Sequence, residues 1–178
     1  MKIPALLLST VLGAAAASPA VRAAYPDAAS DPARLAQAMF TDREMGAPAR
    51  WFAGEASGGA GAWLYEFSYV RVARQGKIPG ANHTSENPYV FDTQMIVPGY
   101  SAEIVEADRQ VAAFIHSCWV AFAKTGTPAC NAGNQVWPRY DPRTDLLMNF
   151  DAPPSVVHAY RKPQLDAQEA AAAAVIAP

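Results

Sequence analysis

Residues 71 to 101 contain Gly76, Pro79, Gly80, Asn82, Pro88, Pro98 and Gly99, and no regular helix or strand runs through such a density of breakers. A connection this long is uncommon inside a compact domain, and where one occurs it commonly carries function. The stretch therefore reads as an ordered loop with at most short turns of helix. Before it, Trp63, Tyr65, Phe67, Tyr69 and Val70 concentrate aromatic and β-branched side chains, which predicts a strand over 63–70. After it, Ile104, Ala107, Val111, Phe114, Ile115, Cys118, Trp119 and Phe122 recur at three-to-four spacing, with Glu103, Glu106, Arg109 and Gln110 mostly off that face. That pattern predicts an amphipathic helix, capped by Ser101 and ended by Gly126 with Pro128 just beyond.

Other elements are shorter. Ser30-Asp31-Pro32 is a cap followed by proline at the first helical position, opening a helix through Phe40. Thr41-Asp42 is a second cap signal for a helix toward Phe52, with Gly46 and Pro48 in its middle. A strand is expected at Leu146 to Phe150 and a second extended piece at Val156 to Tyr160. The tail from Asp166 is nearly all alanine, helical by propensity but with few large apolar side chains to bury.

A chain of 178 residues, 51% hydrophobic and 17% charged, can bury a core and suits one domain. A formal charge of −2 offers no excess of Lys or Arg for a phosphate backbone or an anionic bilayer, so neither nucleic acid nor a membrane is an expected partner. At the N-terminus, Met1-Lys2 precedes an apolar run from Ile3 to Ala17 broken only by Pro4, Ser9, Thr10 and Gly13. Val21-Arg22-Ala23 then offers an export-type cleavage site before Ala24. The run is too short for a comfortable membrane span. Residues 1–23 are thus expected to be a signal peptide and the chain to be exported, periplasmic or secreted; the competing reading is an alanine-rich helix of a protein that starts further upstream. Export permits disulfides, and the only two cysteines are Cys118 and Cys130. Both readings stand for them: a local bridge, or Cys118 as a small core residue.

The three histidines differ in setting. His116 sits within the amphipathic helix off its apolar stripe, and His158 lies near Val156, Val157 and Tyr160; both read as structural. His83 lies in the breaker-rich loop after the aromatic strand, where a scaffold can hold a side chain in a cleft. No cluster has zinc or calcium spacing, so neither metal nor cofactor is expected.

The run Gly80-Ala81-Asn82-His83-Thr84-Ser85-Glu86-Asn87-Pro88-Tyr89-Val90-Phe91 resembles the catalytic-histidine segment of type-B carboxylesterases. Thr84 stands where that family usually has glycine, and Asn87 where an aliphatic residue is common. Thr41-Asp42-Arg43, Ala47-Pro48-Ala49-Arg50, Leu64-Tyr65-Glu66-Phe67-Ser68-Tyr69, Trp119 to Pro128, Trp137-Pro138-Arg139-Tyr140-Asp141 and Met148-Asn149-Phe150 are similar to family segments in the same order. The resemblance implies the C-terminal part of an α/β-hydrolase fold: the last sheet strands with covering helices and long loops, over 24–165, followed by the alanine-rich tail 166–178. It implies His83 as the catalytic histidine and Glu86 as the acidic position that orients its loop, the residue reading equally as a solvated charge.

The family's serine sits on a G-x-S-x-G elbow between strand and helix. Gly54-Glu55-Ala56-Ser57-Gly58-Gly59 places its serine one position late and ahead of a strand, so it reads as a flexible loop. An HGGG-like oxyanion loop and a triad acid are also missing. Without a nucleophile the histidine has no proton to take, and without backbone donors a tetrahedral oxyanion is not stabilised. Two functions follow as expectations. In one, the chain is the C-terminal portion of a serine carboxylesterase, hydrolysing small-molecule carboxylic esters only when an N-terminal esterase portion completes it. In the other, it is a secreted non-catalytic binding module derived from a hydrolase. A sheet cut from its parent would keep an unpaired edge that favours association.

Overall fold

The computed structural model describes residues 17–99, 101–130 and 136–176. All of the N-terminal apolar run except Ala17 lies outside them. Among the described residues, no helix is long and apolar enough to cross a membrane. The chain divides into two units, residues 1–60 with 159–178, and residues 61–158.

The first unit is helical. Helix α1 spans Pro19–Ala23, with the Ser18 hydroxyl accepting from the Val21 N–H. Helix α2 spans Pro32–Thr41. As its sequence predicts, Asp31 caps it, its carboxylate accepting from the N–H groups of Ala33 and Arg34. The second cap signal is overturned: Thr41 is itself helical, and a π-helical turn, Asp42–Gly46, runs straight on into α3, Ala47–Ser57. Pro48 is the second residue of α3, directly after the π turn. The alanine-rich tail belongs to helix α6, which starts earlier than expected, at Lys162, and ends at Ile176.

Tyr25, Ala28, Leu35, Ala36 and Met39 form the core of this unit with Val21, and Ala167 and Ala171 of α6 pack against it. Cleavage before Ala24 would remove Val21 from that core. Polar contacts join α6 to the rest. Arg50, its side chain 8% exposed, pairs with Asp166 at 2.6 Å and Glu169 at 2.8 Å. Asp42 takes a two-pronged bond from Arg161. Buried Gln168 donates to the Tyr25 hydroxyl at 2.9 Å.

The second unit is a three-stranded sheet and one long helix. Strands β1 (Tyr65–Phe67), β2 (Leu146–Phe150) and β3 (Ser155–His158) lie in the order β1-β2-β3. β1 runs parallel to β2 with Tyr65 opposite Met148 and Phe67 opposite Phe150; β2 and β3 are antiparallel. β2 matches its expected bounds, whereas β1 is shorter than the predicted 63–70. The ends of that stretch stay attached by single bonds: the Leu64 carbonyl accepts from Met148, and the N–H groups of Ser68 and Tyr69 share the Phe150 carbonyl. No described strand pairs with the far side of β1.

Helix α5, Glu106–Thr125, covers this sheet and ends on Gly126 at φ +74°, the left-handed geometry that glycine adopts without a Cβ clash. Ser101 does not cap it. Ser101–Glu103 is a separate 3-10 turn, and at the true start Asp108 accepts from the Val105 N–H at 2.9 Å. The buried face reads Asp108, Ala112, Phe114, Ile115 and Cys118, packed with Tyr69, Tyr89, Trp137, Met148 and Phe150. Cys118 and Cys130 form a disulfide. This resolves the open pairing, and the bridged Cys118 is also wholly buried.

Candidate functional site around His83

Five residues past the end of β1 the chain turns through Val72–Arg74 and comes back as the segment that carries His83. The loop is short turns throughout, as its breakers require. Ser85 N–H donates to the Asn82 carbonyl and Asn87 N–H to the Thr84 carbonyl, both at 3.1 Å, and a four-residue helix α4, Asn87–Val90, follows. His83 is exposed at the crest of these turns. Its imidazole makes no hydrogen bond or ion pair to any described residue. Glu86 is half-buried, and its carbonyl accepts from the N–H groups of Tyr89 and Val90, at 2.9 and 3.0 Å. Its carboxylate is not bonded to His83; burial, and then the charges of Glu86 and Glu66, push the Tyr65 phenol above its usual pKa.

What holds the loop is a wall of tyrosines. Tyr89 of α4 is 2% exposed, with its ring 5.3 Å from that of Phe67 and 5.6 Å from that of Tyr69. The Tyr69 hydroxyl donates to Asp108 Oδ1 at 2.7 Å. Burial first, and then that hydrogen bond, raise the Tyr69 pKa, so the phenol remains a neutral donor. From the same helix, His116 Nδ1 lies 2.8 Å from the Val90 carbonyl. A carbonyl only accepts, so Nδ1 carries the proton there. Helix α5 thus grips both Tyr69 and the end of α4.

Sequence reasoning placed His116 as structural, which agrees with this contact, but it did not single out Tyr69 or Asp108. The only signal for Asp108 is that a carboxylate falls within the first turn of a helix whose start is preceded by valine rather than a capping residue.

Thr84 has φ +69°. A β-branched residue in the left-handed region is strained by its Cβ, at a cost of roughly 1–2 kcal/mol. This is the position where the resembling family segment usually has glycine. Thr84→Gly is expected to raise stability by about 0.5–1 kcal/mol, since relief of the clash is partly offset by the greater freedom of glycine in the unfolded chain. Urea titrations of the two proteins would show it, and an unchanged or lowered midpoint would mean that Thr84 is not strained.

Chemically, the imidazole is exposed on a loop that leaves the carboxyl end of a parallel strand, the end at which open α/β sheets present their working groups. Among the described residues, no nucleophile or acid is hydrogen-bonded to it. Ser57 closes α3, and its hydroxyl donates back to the Gly54 carbonyl at 2.7 Å, so it is a helix end and not a strand-to-helix elbow. Among the described residues, no group of three or more His, Cys, Asp or Glu is placed to hold a metal ion.

Some solved structures with this arrangement are esterases. A para-nitrobenzyl esterase superposes with TM-score 0.65 at 26% identity, over 92% of this chain and 31% of that one. A carboxylesterase of Geobacillus stearothermophilus reaches TM-score 0.68 at 22% identity, over 94% of this chain and 33% of that one, which supports the fold alone. The fold is part of an α/β-hydrolase. By sequence, para-nitrobenzyl esterase of Bacillus subtilis is 34% identical over 115 residues, 64% of this chain and 23% of its own length. Human neuroligin-3 is 28% identical over 142 residues, 70% of this chain and 17% of its own. The profile of the carboxylesterase family matches residues 11–168, and the chain belongs to that family. It spans under a quarter of these curated relatives and about a third of the solved structures.

Proposed function

We propose that this chain is the C-terminal portion of a serine carboxylesterase, with His83 as the base that takes the serine proton and returns it to the leaving alcohol. The observation that carries the reading is the Gly80–Phe91 segment, which resembles the family's histidine segment and here leaves His83 exposed in the loop that follows β1. Two features support completion by another portion. The far side of β1 has no described strand, and Phe91, Met95 and Ile96, close after His83, are 68%, 54% and 78% exposed. The missing portion would bring the serine elbow, the acid and the oxyanion donors, and the substrate would be a small carboxylic ester. Glu86 shapes the turn rather than meeting the substrate. Export belongs to the same reading, supported by the N-terminal pattern and by the Cys118–Cys130 bridge, which suits an oxidising compartment.

The test is complementation. Co-refolding the chain with the N-terminal portion of a related esterase that carries a G-x-S-x-G elbow should produce hydrolysis of a p-nitrophenyl ester. His83→Ala should lower that rate by roughly 10³–10⁴-fold or more. Equal activity with His83→Ala would remove the histidine from the mechanism. The second reading, a secreted non-catalytic binding module, is favoured by the lack of any acid or nucleophile bonded to His83 among the described residues. It requires that no complementing portion restores hydrolysis and that His83→Ala changes nothing measurable.

A further inference from the structure

Beside the His83 turn lies an open cleft of about 230 Å³, formed entirely within the second unit at the carboxyl end of β1. Its two sides come from different parts of the loop: Arg71 and Arg74 from the segment leaving the sheet, Asn82 and Ser85 from the returning turn. Its lining contains no Asp or Glu. Arg71 is held in place, its guanidinium 2.9 Å from Glu103 and donating to the Gly99 carbonyl at 3.2 Å, so most of its charge is already met. Arg74 is exposed and has no acidic partner among the described residues. Tyr69 lines the cleft too, but its hydroxyl is committed to Asp108.

The cleft thus has one uncommitted guanidinium and the Asn82 amide to offer, since the Ser85 hydroxyl already donates to the Asn82 carbonyl at 2.6 Å, and an apolar remainder in Val70, Ile78 and Ala81. A single unpaired guanidinium matches one negative charge, which it can bind through two parallel N–H donors. The apolar part favours a ligand with a hydrocarbon body over a bare inorganic anion. We propose that this cleft binds a small monocarboxylate carrying a short aliphatic or aromatic body, with Arg74 as its anchor. The proposal goes beyond the hydrolase reading and does not need His83 to act as a base.

Equilibrium dialysis of the full chain against radiolabelled benzoate tests this whatever the oligomeric state of the sample. Saturable binding of one benzoate per chain is expected, weakened roughly tenfold or more by Arg74→Gln. Lys124→Gln, at an exposed lysine outside the cleft, should leave binding unchanged. Inorganic phosphate should compete poorly, and His83→Ala should bind benzoate as the parent does even if it fails in complementation. Arg74 is exposed, so Arg74→Gln is expected to melt with the parent, and circular dichroism confirms that the comparison is between folded chains. No saturable binding at up to about 50 mM benzoate, far above the millimolar range of weak specific sites, would overturn the proposal. So would undiminished binding by Arg74→Gln, and phosphate competing as well as benzoate would overturn the carboxylate assignment.

Discussion

Asp108→Ala is expected to destabilise the second unit by about 3–5 kcal/mol, because hydrogen bonds to a buried charged group contribute roughly 1.5–3 kcal/mol each and their loss strands the donors. Asp108 is fully buried on the core face of α5. Its Oδ1 accepts from the Tyr69 hydroxyl at 2.7 Å and the Val72 N–H at 3.0 Å, and its Oδ2 from the Val105 N–H at 2.9 Å. One carboxylate therefore starts the helix, ends the run out of β1, and fixes the ring that backs Tyr89. Asp108→Asn should recover only part of the loss, since an amide has one acceptor oxygen and would turn its NH₂ toward a backbone donor. Urea unfolding would measure this as a lower midpoint with an unchanged slope. A loss below about 1 kcal/mol for Asp108→Ala would mean that water replaces the carboxylate without penalty.

Arg161→Met is expected to cost about 3–5 kcal/mol in the helical unit, through the charge it leaves behind. Asp42 is 2% exposed, and Arg161 meets both its oxygens, Nε at 2.9 Å from Oδ1 and the terminal nitrogen at 2.6 Å from Oδ2. Removing the guanidinium strands a carboxylate out of water. The paired replacement Asp42→Leu with Arg161→Met should regain most of the loss, because the cost of desolvating both charges disappears with them. Thermal melts of the two single variants and the double variant would show the coupling. Additive losses would show that the two side chains do not depend on each other.

The sequence exposes those parts of the fold whose pattern is local. β2 is legible because a five-residue stretch, apolar except for Asn149, follows turn residues, and α5 because its apolar stripe repeats over twenty residues. The start of α5 was misread at Ser101, since Asp108 caps from inside the helix, and a charged residue at that position ordinarily faces water. The π turn at Asp42–Gly46 was not legible, because nothing in the residues there separates it from a capped break. At the site, the His83 segment was visible as a contiguous motif. The cleft was not, because Arg71 and Arg74 reach Asn82 and Ser85 only after the loop folds back. The disulfide stayed open in the sequence because spacing alone leaves both a bridged and a free buried cysteine reasonable.

The helical unit is assembled from the two ends of the described chain, and this has a consequence for how the protein is made. Asp42 and Arg161 are 119 residues apart, so at about 5–20 residues per second a ribosome delivers the second roughly 6–24 s after the first. Through that interval α2 and α3 exist without α6. The surfaces that wait include Asp42 and Arg50, whose charges stay hydrated until their partners emerge, alongside the apolar side chains that α6 later covers. A joint closed by ion pairs lets the nascent helices remain in water longer than a wholly greasy seam would. Its cost is that the unit cannot finish folding until α6 has emerged.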